Sequence, residues 1–161
     1  MGITATLYKL TEMEYNSLPD DPFESIGILI PADLHTNPEF YDLQKEWSML
    51  HYLLCGASEP DGSLLSDAVL GGLETKIEMD YGPVRYRSPQ HVADISNALT
   101  AVDLDSEFEN RDMSSEALEN IYLADVFLEE GIDSVKQYFD GLKMFYLTAV
   151  KEGKGVLSYL A

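Results

Sequence analysis

All seven prolines of this 161-residue chain fall at or before Pro89, and the stretch 90–161 contains none. Proline fixes φ, removes a backbone donor and breaks helix interiors. The front half must therefore mix strands, turns and loops, while the back half is free to run in helices. No repeat, low-complexity tract or Gly/Ser linker interrupts the sequence, so 1–161 reads as one domain. A chain of this size buries about 68–70% of its unfolded surface, enough for a core without disulfides or metals.

Local patterns fill in that outline. Ile3 to Lys9 alternates as a strand does. Thr11-Glu12-Met13-Glu14 is a capping box that opens a short helix to about Leu18, and Pro19 to Pro22 break it. Ile26 to Ile30 is a short apolar run, read as strand or extended chain, and Pro31 to Pro38 is loop. A helix is expected from Leu43 to Cys55, with Asp42 as N-cap and Gly56 just past its end. Trp47, Leu50, His51 and Leu54 would share one face of it. Leu73, Thr75, Ile77 and Met79 alternate with charged residues as a half-buried strand. Ser88 caps a helix that has Pro89 at its first position and Val92, Ile95, Leu99 and Val102 as its apolar stripe.

Two short helices are expected near 104–110 and 114–121, and a long one from Ser134 to Glu152. Gly153 ends the long helix, and Gly155 to Leu160 returns as a last strand. The expected fold class is α/β, with α+β as runner-up. The expected architecture is a small mixed β-sheet flanked by helices, a three-layer αβα-type sandwich with strands at both termini.

Charge bounds the partners. Twenty-nine acids against ten bases give a net charge of −19, and residues 103–140 alone hold a local −10. Nucleic acid and anionic membranes are disfavoured, because affinity for either is built from Lys and Arg on phosphates. The acidic 103–140 segment either recruits a basic protein partner or simply keeps the chain dispersed. Cys55 stands alone and cannot form an internal disulfide, and no apolar run approaches ~18 residues. A soluble, cytoplasmic protein is the expectation.

The densest chemistry lies in Asp80-Tyr81-Gly82-Pro83-Val84-Arg85-Tyr86-Arg87-Ser88-Pro89, which holds two of the three arginines. If Pro83 to Arg87 is extended, Val84 and Tyr86 point one way and Arg85 and Arg87 the other. Two guanidiniums on one face either hold an anion by bidentate hydrogen bonds or pair with the abundant acids. Trp47 and His51, one turn apart, are either a stacking ring beside an acid–base group or a packed core pair. Candidate ligand-binding residues are therefore Trp47, His51, Tyr81, Arg85, Tyr86 and Arg87. His35 and His91 have no partner visible in sequence.

Other chemistries lack support. The histidines are too far apart for a metal motif, and no second cysteine or EF-hand register exists, so no metal is expected. Cys55 sits at an apolar helix end and reads as an inert thiol. Gly71-Gly72 is neither a Walker loop nor a Rossmann fingerprint, and it marks a tight turn or a close backbone approach. No cofactor is expected, and no catalytic residue can be assigned.

Three blocks resemble a known pattern. The helix Leu43-Gln44-Lys45-Glu46-Trp47-Ser48-Met49-Leu50-His51-Tyr52-Leu53-Leu54-Cys55-Gly56 resembles that of the YfbM-like bacterial family of unknown function. Leu65-Ser66-Asp67-Ala68-Val69-Leu70-Gly71-Gly72 is similar to its second block, and Tyr81 to Tyr86 followed by Ser88-Pro89 to its third. The Met-Gly start and the closing Val-Leu-x-Tyr-Leu strand agree. Gln44, Asp80 and Val84 depart from the pattern. The resemblance implies a one-domain α/β sandwich and no established activity.

Two functions follow as expectations. One is a protein-interaction module, of immunity or inhibitor type, that neutralises a basic partner through 103–140. The alternative is a small-molecule or anion site, enzymatic or not, around Trp47, His51, Tyr81, Arg85 and Tyr86. Action through oligomerisation alone is a third.

Overall fold

The alternation that opens the sequence becomes β1 (Ala5–Leu10), and every residue of it is buried. A strand covered on both faces belongs in the middle of a sheet with a layer on each side. In this computed structural model, which describes residues 2–161, β1 lies between β2 (Phe40–Asp42) and β5 (Gly155–Leu160). β4 (Gly82–Arg87) flanks β5, and β3 (Leu73–Met79) forms the far edge, giving the order β2-β1-β5-β4-β3. The two strands nearest the chain ends therefore pair with each other, Ala5 opposite Leu160 and Leu10 opposite Gly155.

Every pair is antiparallel, where a mixed sheet was expected. The two-residue turn Asp80-Tyr81 joins β3 to β4, and such a turn admits only antiparallel pairing. The α/β class itself holds, with helices covering one five-stranded sheet on both faces.

Strand alternation sorts the core into two layers. Ala5, Leu7 and Val156 face α3 (Trp47–Cys55), α5 (Pro89–Thr100) and α8 (Asp133–Glu152). Tyr8, Leu10, Ile77, Val84, Tyr86, Leu157 and Tyr159 form the second layer. Tyr15 of α1 (Glu12–Asn16) and Leu29 of α2 (Pro22–Leu29) close that layer, and the Tyr15 ring stacks on Tyr86 with centroids 3.5 Å apart. Val84 and Tyr86 thus face one layer while Arg87 reaches the other, as the two-residue period requires.

Three local expectations change. Ile26–Ile30 lies largely within α2 rather than in a strand: Asp21 accepts from the Phe23 N–H at 2.9 Å and Pro22 opens the helix, so the Asp-Pro start wins over the apolar run. The 43–55 helix is regular only from Trp47, because Gln44 at φ 53 sets a 3₁₀ turn across 44–46 first. Residues 114–121 form turns instead of a helix, and the Tyr122 N–H that follows them donates to Ser48 Oγ at 2.9 Å, so no helix continues through 122 from this side. The helix appears later as α7 (Ala124–Glu130), entered through Leu123 at φ 57. α4 (Leu64–Asp67) and α6 (Leu104–Asn110) complete the fold.

Candidate functional site

The segment from Ser66 to Gly72 is the polar hub of the molecule. It spans the end of α4, a helix too short to satisfy all its own carbonyls, and the turn beyond, and side chains from four other elements complete it. Arg87 donates from Nε to the Asp67 carbonyl and from Nη2 to the Val69 carbonyl at 3.4 Å. Tyr146 of α8 donates its hydroxyl to the Ala68 carbonyl at 2.8 Å. The Arg87 guanidinium also donates to Ser158 Oγ of β5 at 2.9 Å. Arg87 is buried with only neutral groups in hydrogen-bonding contact. Burial lowers its pKa, while Tyr146 and then the Asp67 charge oppose that shift. Burial also raises the Tyr146 hydroxyl to about 12.

Asp67 is held from three sides. Its Oδ1 accepts from the Gly72 N–H at 3.1 Å, and its Oδ2 accepts from His91 Nε2 at 2.7 Å. The Gly-Gly pair makes this wrap possible. A Cβ on Gly71 would overlap the Asp67 carboxylate, and one on Gly72, at φ 105, would meet the Tyr86 carbonyl at 2.9 Å. A tight turn with close backbone approach is what the pair provides.

His51 enters the hub from α3. Its Nδ1 lies 2.8 Å from the Ala57 carbonyl and its Nε2 2.8 Å from Ser66 Oγ. A carbonyl only accepts, so Nδ1 carries the proton and Nε2 accepts from the serine hydroxyl. This is the spacing of a nucleophile and its base. Both residues are fully buried, however, and the pair locks α3 to α4. Burial lowers the His51 pKa and raises that of the neighbouring Cys55 thiol.

The six candidate residues divide into three places. Trp47 and His51 lie in the core, where the Trp47 indole donates to the Ile3 carbonyl at 2.9 Å and stacks on Tyr122. Tyr81 and Arg85 line one small pocket of about 90 Å³. Arg85 is ion-paired across the β3–β4 hairpin with Glu74 at 2.9 Å. Tyr86 and Arg87 border a wider groove with Asp67 and His91. No single cleft gathers all six. The Asp67–His91 pair went unseen in the sequence because the residues stand 24 apart and no spacing rule joins them.

A second surface lies on the acidic face. A groove of about 600 Å³ runs between the 115–121 turns and α7. Leu118, Ile121 and Ala124 are buried along it, while Val126 and Leu128 stay exposed. Glu119 and Asp125 also line it, and both are exposed. The only bases between 103 and 140 are already engaged nearby, Arg111 with Glu107 at 3.3 Å and Lys136 with Asp105 at 2.9 Å. Among the described residues, Glu109, Glu116, Glu119, Asp125, Glu129, Glu130 and Asp133 form no ion pair.

Among the described residues no group of three His, Cys, Asp or Glu could hold a metal ion, and no helix is long and apolar enough to cross a membrane.

A family model described as a domain of unknown function (DUF1877) matches residues 1–159. The chain is also similar to the crystal structure of YfbM from Escherichia coli, a protein of unknown function. The TM-score is 0.70 and the identity 19%, over 98% of this chain and 99% of that one. At that identity the likeness is one of fold. No curated protein matches the chain.

Proposed function

The chain belongs to the family described as a domain of unknown function (DUF1877), and we propose that it acts as a protein-interaction module for a basic partner, in the manner of an immunity or inhibitor protein. The observation that carries this reading is the apolar groove beside α7 with carboxylates at its rim. An apolar floor gives affinity on desolvation, and a charged rim steers encounter and selects sign. The fitting occupant is an amphipathic segment with apolar anchors on one face and Lys or Arg on the other.

A fluorescent Leu/Lys amphipathic peptide tests this by anisotropy at ~0.15 M salt, where exposed charges more than about 8 Å apart are largely screened. It should bind saturably, and a peptide of equal charge with Ser for Leu should bind far more weakly. The double variant Glu119→Lys/Asp125→Lys should abolish binding. Equal binding of the two peptides would reduce the effect to diffuse charge attraction and end this reading.

A second reading rests on Tyr81 and Arg85 sharing a pocket with Ser158. At about 90 Å³ it suits only a small anion, which must compete with Glu74 for Arg85. Acetate or phosphate titration followed at the Arg85 side-chain resonances decides it, and no saturable shift would remove it.

A further inference from the structure

A groove that shares no lining residue with the pocket of Tyr81 and Arg85 also borders the hub. His91 sits in the first turn of α5, presented there because Ser88 accepts from its backbone N–H at 3.3 Å and Pro89 starts the helix. Its ring is one-third exposed, and Nε2 is bound to Asp67. Both carboxylate oxygens of Asp67 are engaged, one by His91 and one by the Gly72 N–H, so the carboxylate cannot turn away.

A carboxylate beside an imidazole accepts and does not donate, which places the proton of neutral His91 on Nε2. Nδ1 is then a lone-pair acceptor, held in that tautomer by a buried acid as in a His–Asp general-base pair. Among the described residues no group donates to Nδ1. A polar staple between α4 and α5 would need only Nε2. The second nitrogen is left over, and the residue borders a groove of about 510 Å³.

The walls narrow the ligand class. Leu73, two-thirds exposed, supplies an apolar side, and Gly62 and Gly72 leave the backbone bare. An anion would face a lone pair with Asp67 behind it. A cation would find both oxygens of the Asp67 carboxylate already engaged, one by His91 and one by the Gly72 N–H. The geometry points to a small-molecule site in this groove for a neutral, largely apolar compound that donates one O–H to Nδ1 of His91, such as a phenol or an alcohol. It is separate from the acidic docking face and stands or falls independently of it.

Phenol and toluene, close in size and differing in the hydroxyl, test the site by NMR titration of isotope-labelled protein at neutral pH. Phenol should shift the amides of Gly72 and Leu73 and the Nδ1 resonance of His91. It should bind about tenfold more tightly than toluene, the worth of one hydrogen bond. His91→Phe keeps a ring but no lone pair, and should erase the preference for phenol. Leu73→Asp alters an exposed wall without touching the core, and should weaken both compounds. The amide spectrum of each variant checks its fold. Should His91→Phe unfold, Leu73→Asp and the wild-type imidazole shift still decide the matter. Equal binding of phenol and toluene, shifts clustered elsewhere, or no saturable binding would each overturn the assignment.

Discussion

Arg87 and Asp67 meet through the main chain of Asp67 and not through its carboxylate. The guanidinium donates to the Asp67 carbonyl, while the carboxylate turns to His91 and the Gly72 N–H. The arginine thus pairs the last carbonyl of a four-residue helix, that of Asp67, and the Val69 carbonyl in the turn beyond it.

Replacing Arg87 by Met should therefore cost about 2–5 kcal/mol, because it orphans two buried carbonyls and Ser158 together. Arg85→Met should cost under about 1 kcal/mol, since the Glu74 side of that ion pair is mostly exposed. Urea unfolding of the two variants measures the contrast, and equal costs would contradict the account.

Two Gly→Ala changes should have opposite signs. At Gly71 the new methyl collides with the Asp67 carboxylate, a cost of about 1–3 kcal/mol. At Gly27, inside α2 and with nothing within 4 Å, alanine should stabilise by about 0.5–1 kcal/mol. Thermal melts of both variants read the sign directly.

Burial depresses the folded pKa of His51 below its ordinary 6.5. The unfolded chain then binds the proton more readily, so His51 contributes stability above pH 6.5 that is lost as pH falls from there toward the lower folded value. Falling net negative charge acts in the opposite direction over the same range. The informative quantity is therefore the difference between wild type and His51→Gln. Measured by urea unfolding between pH 7 and 5, the variant should show less loss on acidification, and parallel curves would refute the assignment.

Reversing Glu119 and Asp125 to Lys should leave stability unchanged or raise it slightly, because both are exposed and surrounded by like charge. The same double variant should lose the Leu/Lys peptide. Stability measured beside affinity separates a docking surface from a structural one.

Much of this was legible in sequence because it is local. Period-two alternation separated Val84 and Tyr86 from Arg85 and Arg87, and Ser88-Pro89 announced α5. The resemblance of three blocks also anticipated the family. What escaped depends on contacts distant in sequence. Nothing in the spacing links Asp67 to His91, or the Tyr122 N–H at the end of the 114–121 turns to Ser48, 74 residues before it. Trp47 and His51 share a helix face as read, but that face looks inward, and periodicity alone does not distinguish an apolar core from a ligand pocket. At Ile26–Ile30 the apolar run reads equally well as a strand, and it is the Asp21-Pro22 helix start upstream that decides the outcome.

The pairing of β1 with β5 has a consequence for synthesis. The strand at the centre of the sheet is the last one to be made, and closing it against β1 joins residues about 150 apart, a loop-closure cost of about 4 kcal/mol. Until β5 arrives, the β1–β2 pair and the β3–β4 hairpin have no strand between them, and each presents an open edge. A ribosome-bound chain therefore carries two separated half-sheets from the completion of β4 at Arg87 until Gly155–Leu160 emerges, and the five-stranded sheet closes only then.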